Sequence, residues 1–244
     1  MAAGLPKTRQ QDGTLLLPSF PGWPRGLQFF LCSLSLISLC SFTHPAQLYS
    51  FSPPPLATFE IATRIPSGGN IICFGDSLTQ GVGASRGHDY PSLLSQALGT
   101  AVLNAGVDGD ETTDALKRLE SAVLFKNPRM VIVELGANDL LDGQPLEQAF
   151  ENLDQIVRRI EERGALVVLV GVAPGPLGDA LQPRYDTIIN KYHVAFVPKV
   201  LEDIVTNPSL LSSDSLHPND QGYQLIAERI QRVLHPLLID RQHS

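Results

Sequence analysis

The feature that most constrains the fold is an alternation of short apolar segments with helix-like segments, which begins at Asn70. The apolar segments lack the polar–apolar alternation of a strand with one solvated face, and this indicates strands that are buried on both faces. They lie at residues 70–74, 101–104, 130–135, 165–172 and 194–198. Buried strands that alternate with helices form parallel sheets, so the sequence predicts an α/β protein.

Helical segments connect the predicted strands. The amphipathic spacing is clearest at residues 145–163, where apolar side chains recur every three or four positions. Further helices are predicted at residues 91–98, 110–124, 184–192 and 218–234, with the Gly- and Pro-rich segment 173–184 as a loop. This order predicts a flavodoxin-like three-layer sandwich around a five-stranded parallel sheet, in which ligands bind at the carboxyl ends of the strands.

The chain divides into an N-terminal part, residues 1–68, and a domain formed by residues 69–244. The N-terminal part is rich in Pro, Ser and Phe and carries few charges. Within it, residues 27–42 form a mostly apolar run that follows Arg25. A positive flank before a short apolar run is the order of a secretory leader. The run is shorter than the ~20 residues that a comfortable membrane span needs.

Three interpretations of residues 27–42 stay open. The run is an export leader or an uncleaved anchor that associates with the membrane, which places the protein in the periplasm or outside the cell. Cys40 near its end suggests a lipoprotein, although Leu39 is bulkier than the residue that such a signal requires. A start assigned too far upstream would leave the run without a targeting role and the protein in the cytoplasm. The sequence leaves the oligomeric state open.

Charge and cysteine content argue against several classes of function. The formal net charge is −7 and no Lys/Arg cluster stands out, which argues against nucleic acid as a partner. Because Cys32 and Cys40 lie in the N-terminal part, the domain holds only Cys73. One cysteine supports neither a disulfide framework nor a cysteine-based zinc site. We expect Cys73, in the first apolar segment, to lie in the core.

A serine follows the first predicted strand directly. The segment FGDSLT at residues 74–79 is a turn from a strand into a helix, and it carries Ser77. At such a turn the backbone N–H groups and the helix dipole favour a developing negative charge. The same pattern is also typical of a plain helix cap.

The third apolar segment contains a single charged residue, Glu134.

An acid and an imidazole lie three residues apart just before the last predicted helix, as Asp214 and His217. A serine needs a base to become a nucleophile, and the imidazole needs a carboxylate to fix its tautomer. At this spacing the two side chains can meet on one turn, which leaves the second ring nitrogen for a serine. A surface histidine near an acid is the alternative interpretation.

Two further segments at strand ends offer hydrogen-bond donors. Gly109 follows the second strand, where a glycine lets the backbone approach a ligand closely. Asn138 follows the third strand, and its side-chain amide is suited to hold an oxyanion. Each residue taken alone is also typical of an ordinary turn.

Together these segments resemble the conserved blocks of the SGNH (or GDSL) hydrolase family, in which Ser, Gly, Asn and His follow in this order. The matching blocks are GDSL at residues 75–78, the segment around Gly109, GAND at residues 136–139 and DSLHP at residues 214–218. The stretches VDGDET and VELGAND are most similar to the small thioesterase, lysophospholipase and arylesterase branch. The resemblance extends from about residue 70 to the last helix.

The resemblance implies a role for each of these residues. Ser77 would be the nucleophile that forms an acyl-enzyme, and His217 would act first as general base and then as general acid. Asp214 would orient His217. The oxyanion hole would consist of the N–H groups of Ser77 and Gly109 together with the side-chain amide of Asn138.

The resemblance implies neither a metal nor a cofactor, and it implies that Asp76 and Asp139 are structural turn residues. The expected substrate is a small-molecule acyl ester with a short or medium acyl chain, a lysophospholipid or an acyl thioester. The predicted loop at residues 173–184 would form a wall for the acyl chain.

Three alternative functions stay open. The first is a carbohydrate O-acetylesterase of the same family, and the second is an anchored, catalytically silent adaptor of this fold. The third is a nucleotide-binding module built on the glycine-bearing loop at residues 75–83. That loop has neither the GxGxxG pattern nor the lysine of a phosphate-binding loop, which argues against the third.

Overall fold

One parallel sheet organises the molecule in the computed structural model, which describes residues 68–239. The predicted leader, with its apolar run at residues 27–42, lies outside the described residues. The strands are β1 (Asn70–Gly75), β2 (Val102–Gly106), β3 (Pro128–Glu134), β4 (Leu166–Val170) and β5 (Ala195–Val197). They pair in the order β2-β1-β3-β4-β5, all parallel. The predicted α/β class, five-stranded parallel sheet and flavodoxin-like order are confirmed.

Helices follow each of the first four strands within the described part of the chain, and one more follows β5. They are α1 (Ser77–Gln80), α2 (Tyr90–Leu98), α3 (Thr112–Ala122), α4 (Ala137–Leu141), α5 (Leu146–Glu161), α6 (Gly175–Tyr192) and α7 (Asp220–Ile239). Short 3₁₀ turns at Leu124–Lys126 and Pro208–Leu210 complete the connections. None of the helices in residues 68–239 is both long and apolar enough to cross a membrane.

Two apolar cores lie on opposite faces of the sheet because successive side chains of a strand point to opposite sides. On β1, Ile71 and Cys73 belong to one core, and Ile72 and Phe74 belong to the other. The first core is closed by α2 and α7, and the second by α3, α5 and α6. Cys73 is fully buried, as the sequence predicts. These layers form the expected three-layer sandwich.

The prediction of a loop at residues 173–184 is wrong, because α6 begins at Gly175. Gly and Pro favour a loop in a sequence pattern, but Pro176 stands in the first turn, where its missing N–H costs nothing. Pro183 lies inside the helix on its exposed side, where water can reach the carbonyl that loses its partner. The segment therefore offers a helix, and not a flexible loop, to any acyl chain that lies beside it.

The sequence pattern predicts that the last helix begins at Pro218, but it begins at Asp220. Asn219 is the better cap, since its Oδ1 atom accepts hydrogen bonds from the N–H groups of Gln221 and Gly222. Pro218 instead forms an antiparallel bridge with Leu211. This bridge closes the loop in which the predicted Asp–His pair lies.

Candidate active site

The turn between β1 and α1 carries Ser77, which is the first residue of the helix. Asp76 caps the helix through its Oδ1 atom, which accepts a hydrogen bond from the N–H of Leu78 at 3.0 Å. A side chain is excluded at Gly75, because its Cβ would lie 2.1 Å from Thr79 Oγ1 and 2.2 Å from the carbonyl oxygen of Glu134. The glycine therefore lets the turn pack tightly against β3, and the structural role predicted for Asp76 agrees with its position.

Ser77, His217 and Asp214 form a continuous row of hydrogen bonds. The Nε2 atom of His217 lies 3.0 Å from Ser77 Oγ, and its Nδ1 atom lies 2.7 Å from Asp214 Oδ2. Ser77 and His217 are 140 residues apart in the sequence. The His217 side chain remains 15% exposed and Ser77 7% exposed, so a small molecule can reach both. The structure therefore brings together the three residues that the sequence predicts as a triad.

Asp214 is held in its ionised form by the loop around it. Burial raises its pKa, but hydrogen bonds from His217, from two backbone N–H groups and from Ser212 outweigh this effect and hold the pKa well below its usual value. The Oδ1 atom accepts from the N–H groups of Leu216 at 2.8 Å and His217 at 2.9 Å. The carboxylate thus fixes the loop with one oxygen and the imidazole with the other.

Gly109 and Asn138 lie on neighbouring segments that are joined by a hydrogen bond. The Nδ2 atom of Asn138 donates to the carbonyl oxygen of Asp110 at 2.9 Å, directly beyond Gly109. Gly109 has a φ of +80°, a backbone conformation in which L side chains are strained. An amide nitrogen carries two hydrogens, so Asn138 can hold this segment with one and donate the other.

Asp139 is not the turn residue that the resemblance implies, because it lies inside α4 and is buried. Its two oxygens accept hydrogen bonds from the backbone N–H of Thr112 at 2.9 Å and from the Thr112 hydroxyl at 2.6 Å. Asn152 of α5 donates to the same hydroxyl at 3.1 Å. These contacts join the start of α3 to α4, and so fix the two segments that carry Gly109 and Asn138.

Two supporting residues escape the sequence analysis. Arg118 of α3 donates to the carbonyl oxygens of Gly75 and Ala105, each at 2.9 Å, and pairs with Asp110. Asn104 donates to the carbonyl oxygen of Thr79 at 2.8 Å. The two bonds of Arg118 tie α3 to the ends of β1 and β2, and the bond of Asn104 ties β2 to the helix that begins at Ser77. The one signal in the sequence is a polar Asn104 inside an otherwise apolar strand.

The fold and this site together define a serine hydrolase. The Ser–His–Asp row lies at the carboxyl ends of the parallel strands, where sheets of this order bind their ligands. The geometry is that of a hydroxyl next to a base whose tautomer is set by a carboxylate.

Comparison with known proteins identifies the family. Residues 73–225 match the GDSL-like Lipase/Acylhydrolase family. An arylesterase of Vibrio mimicus is 31% identical over 174 residues, which cover 67% of this chain and 87% of the relative. Thioesterase 1/protease 1/lysophospholipase L1 of Escherichia coli K12 is 29% identical over 192 residues, which cover 76% of this chain and 92% of the relative.

A solved structure supports the same assignment. The crystal structure of TesA superposes with a TM-score of 0.65 at 28% identity, and the match covers 69% of this chain and 99% of TesA. The chain belongs to the GDSL-like lipase/acylhydrolase family, as the sequence motifs predict. It is a carboxylic ester hydrolase that acts on small-molecule esters.

Proposed function

We propose that Ser77 is the nucleophile of this hydrolase and that His217 and Asp214 activate it. The observation that carries the proposal is the unbroken row of hydrogen bonds from Asp214 through the imidazole to Ser77 Oγ. With Nδ1 protonated toward Asp214, the Nε2 atom has a free lone pair that can accept the serine proton. The low pKa of Asp214 keeps the carboxylate charged opposite the imidazolium that then forms.

The reaction proceeds in two balanced halves. Ser77 Oγ bonds to the carbonyl carbon of the ester while its proton moves to His217 Nε2, and the carbonyl oxygen becomes an oxyanion. When the oxyanion collapses, the bond to the leaving alcohol or thiol breaks and His217 returns the proton to it. Water then attacks the acyl-enzyme by the same route, which releases the acid and restores Ser77.

The oxyanion hole in this proposal consists of the N–H groups of Ser77 and Gly109 and the side-chain amide of Asn138. The capped turn at Ser77 and the positive φ of Gly109 support this assignment, because both present backbone to a ligand. The bond from Asn138 to the Asp110 carbonyl holds the amide beside Gly109. Such fixed donors stabilise charge without reorganising during the reaction.

Replacement of Asn138 by alanine is expected to lower kcat by about 10²- to 10³-fold with a smaller change in KM, because the donor matters most when the oxyanion forms. Steady-state kinetics on p-nitrophenyl butyrate measure both constants, with thermal unfolding to confirm the fold. Asn190→Ala, on the exposed side of α6, is the matched control and should leave both constants unchanged. A loss of less than about tenfold in Asn138→Ala would remove this residue from the oxyanion hole.

The proposed substrates are esters of short or medium acyl chains, with lysophospholipids and acyl thioesters as further candidates. The names of the relatives support this range, since one is an arylesterase and another a thioesterase and lysophospholipase. A preference for acetylated carbohydrate is the alternative within the same family. The hydrogen-bonded triad argues for an active enzyme over an adaptor, which has no need of it.

The full-length chain tests the proposal in two ways. A fluorophosphonate probe should label the protein once, and peptide mapping should place the adduct on Ser77. Hydrolysis of p-nitrophenyl acetate, butyrate, octanoate and palmitate, of a lysophospholipid, of an acyl-CoA and of acetylated xylan would then rank the substrates. Absence of labelling together with inactivity on the whole panel would overturn the proposed role of Ser77 and the proposed substrate range.

We also propose that the protein is exported or held at the membrane through residues 27–42. The apolar run behind Arg25 supports this placement. Fractionation of cells that express the full-length chain tests it, since recovery of all the protein from the cytosol would contradict it.

A further inference from the structure

Two acidic side chains are buried directly beneath the turn of Ser77. Asp76 is 0% exposed and Glu134 is 1% exposed. Glu134 ends β3 and pairs in the sheet with Gly75, which precedes Asp76 in the chain. It is also the only charged residue of the apolar segment 130–135, and the proposed mechanism gives it no role.

Two of the four carboxyl oxygens of this pair accept hydrogen bonds. Asp76 Oδ1 accepts from the N–H of Leu78, and Glu134 Oε2 accepts from the Thr79 hydroxyl at 2.8 Å. Because Thr79 gives its only proton to Glu134, the hydroxyl of Tyr90, 2.7 Å from Thr79 Oγ1, must donate to it. Within residues 68–239 the other two oxygens, Asp76 Oδ2 and Glu134 Oε1, are buried without a hydrogen-bond partner.

One proton held between the two carboxyl groups would satisfy both of these oxygens. Two neighbouring buried carboxylates cannot both stay ionised without a large cost in free energy. Burial raises the pKa of Glu134 well above its usual value, and the charge and proximity of the Asp76 side chain raise it further, against the hydrogen bond from Thr79. Burial likewise raises the pKa of Asp76, against the opposing hydrogen bond from Leu78.

The groups that surround the pair favour the bound proton as well. The charges of Asp110, Asp108 and Asp139 raise the pKa of Asp76. Arg118, a cation held at the turn by its bond to the Gly75 carbonyl, is already paired with Asp110. Other ionisable groups near the pair are side chains whose own pKa burial raises, so that they stay uncharged: Cys73 on β1, Tyr90 on α2, Tyr185 on α6 and Tyr223 on α7. The acids Asp89 and Asp214 also act on this cluster, and His217 lies on the far side of Ser77.

We propose that Glu134 is a positioning residue that shares one proton with Asp76 and so fixes the turn that carries Ser77. The inference rests on the proposed role of Ser77 as nucleophile. With the proton in place, Glu134 holds Oδ2 of Asp76 while Oδ1 keeps the N–H of Leu78, and the backbone on both sides of Ser77 is fixed. Loss of the shared proton would leave two neighbouring buried carboxylates, those of Asp76 and Glu134, and their repulsion would drive the carboxyl groups apart.

Infrared spectroscopy of the full-length protein tests the shared proton directly, and it requires no catalytic activity. The parent should show the carbonyl band of a protonated buried carboxyl group at neutral pH. Glu134→Gln and Asp76→Asn should each lose this band. In each variant the new amide N–H donates to the remaining carboxylate, which then stays ionised. Glu151→Gln, an exposed change on α5, is the matched control and should retain the band. Absence of the band from the parent, as for two carboxylates bridged by a metal cation, would overturn the proposal.

Stability as a function of pH gives a second measure. Between the usual carboxyl pKa near 4 and the raised native value, the folded protein binds more protons than the unfolded chain, so stability falls as pH rises. We expect this fall in the parent and in Glu151→Gln, and a much weaker fall in Glu134→Gln. Parallel curves for the parent and Glu134→Gln would contradict the shared proton.

Kinetics then test the positioning role. Glu134→Gln should retain most of kcat near neutral pH and lose the decline that deprotonation of the pair causes in the parent at higher pH. Glu134→Ala, which leaves Asp76 unpartnered, should lower kcat by roughly ten- to a hundred-fold with KM little changed. Unaltered kinetics in Glu134→Ala would contradict the role. Fluorophosphonate labelling of Ser77 in each variant separates this failure from a failure of the proposed function.

Discussion

Replacement of Ser77 by alanine is expected to lower kcat for any ester substrate by about 10⁵- to 10⁶-fold, to a rate set by the remaining donors alone. The reason is that the acyl-enzyme cannot form without the hydroxyl, whereas the proposed oxyanion donors stay in place. The side chain of Ser77 is nearly buried and small, so its truncation should change the unfolding temperature little. Steady-state kinetics on p-nitrophenyl butyrate and thermal unfolding of the same preparations check both expectations.

The matched control for this variant is Ser121→Ala. Ser121 is exposed at the end of α3, where its hydroxyl bonds to the Arg118 carbonyl of its own helical turn. The Ser121→Ala variant should hydrolyse the ester at the parental rate and react with the fluorophosphonate as the parent does. If Ser77→Ala kept a rate within about a hundredfold of the parent, the covalent route through this hydroxyl would have to be abandoned.

Replacement of Asp214 by asparagine is expected to lower kcat by about 10³- to 10⁴-fold without unfolding the loop. The amide oxygen can still accept from the N–H groups of Leu216 and His217, as Oδ1 does now. The amide nitrogen, however, would face His217 Nδ1 and donate to it. The imidazole proton would then sit on Nε2, which could no longer accept the proton of Ser77.

Asp186→Asn provides the control, because this exposed acid on α6 lies outside the site. NMR of the ring nitrogens of His217 in Asp214→Asn would report the altered tautomer independently of rate. Retention of kcat within about tenfold of the parent would mean that the carboxylate does not select the tautomer.

The layered fold could be predicted because buried parallel strands leave a strong local signal. Each of the five strands coincides with a mostly apolar run, interrupted inside a strand only by Asn104 of β2 and otherwise only near the strand ends. The sequence does not predict the start of α6, because Gly and Pro favour a loop locally. The helix is stabilised instead by packing of Leu181 and Tyr185 on the sheet. The start of α7 was misplaced because Pro218 competes with Asn219 as a helix-start signal.

The site was predictable to the extent that its residues lie in short blocks. Asp214 and His217 meet within one turn, so their spacing is visible in the sequence. The contacts that support the site join residues that are far apart, such as Thr79 with Glu134 and Arg118 with Gly75, at separations of 55 and 43 residues. No local pattern encodes such pairs, and the only hints are single polar residues in apolar strands, Asn104 in β2 and Glu134 in β3.

The distance along the chain between Ser77 and His217 has a consequence for biosynthesis. All five strands are complete by Val197, before the ribosome has reached His217. A nascent chain can therefore assemble its central layer while the serine still lacks a base. If His217 is the base, as we propose, hydrolytic competence arises only when the segment after β5 docks, and incomplete translation products that retain the whole sheet would be unable to hydrolyse esters.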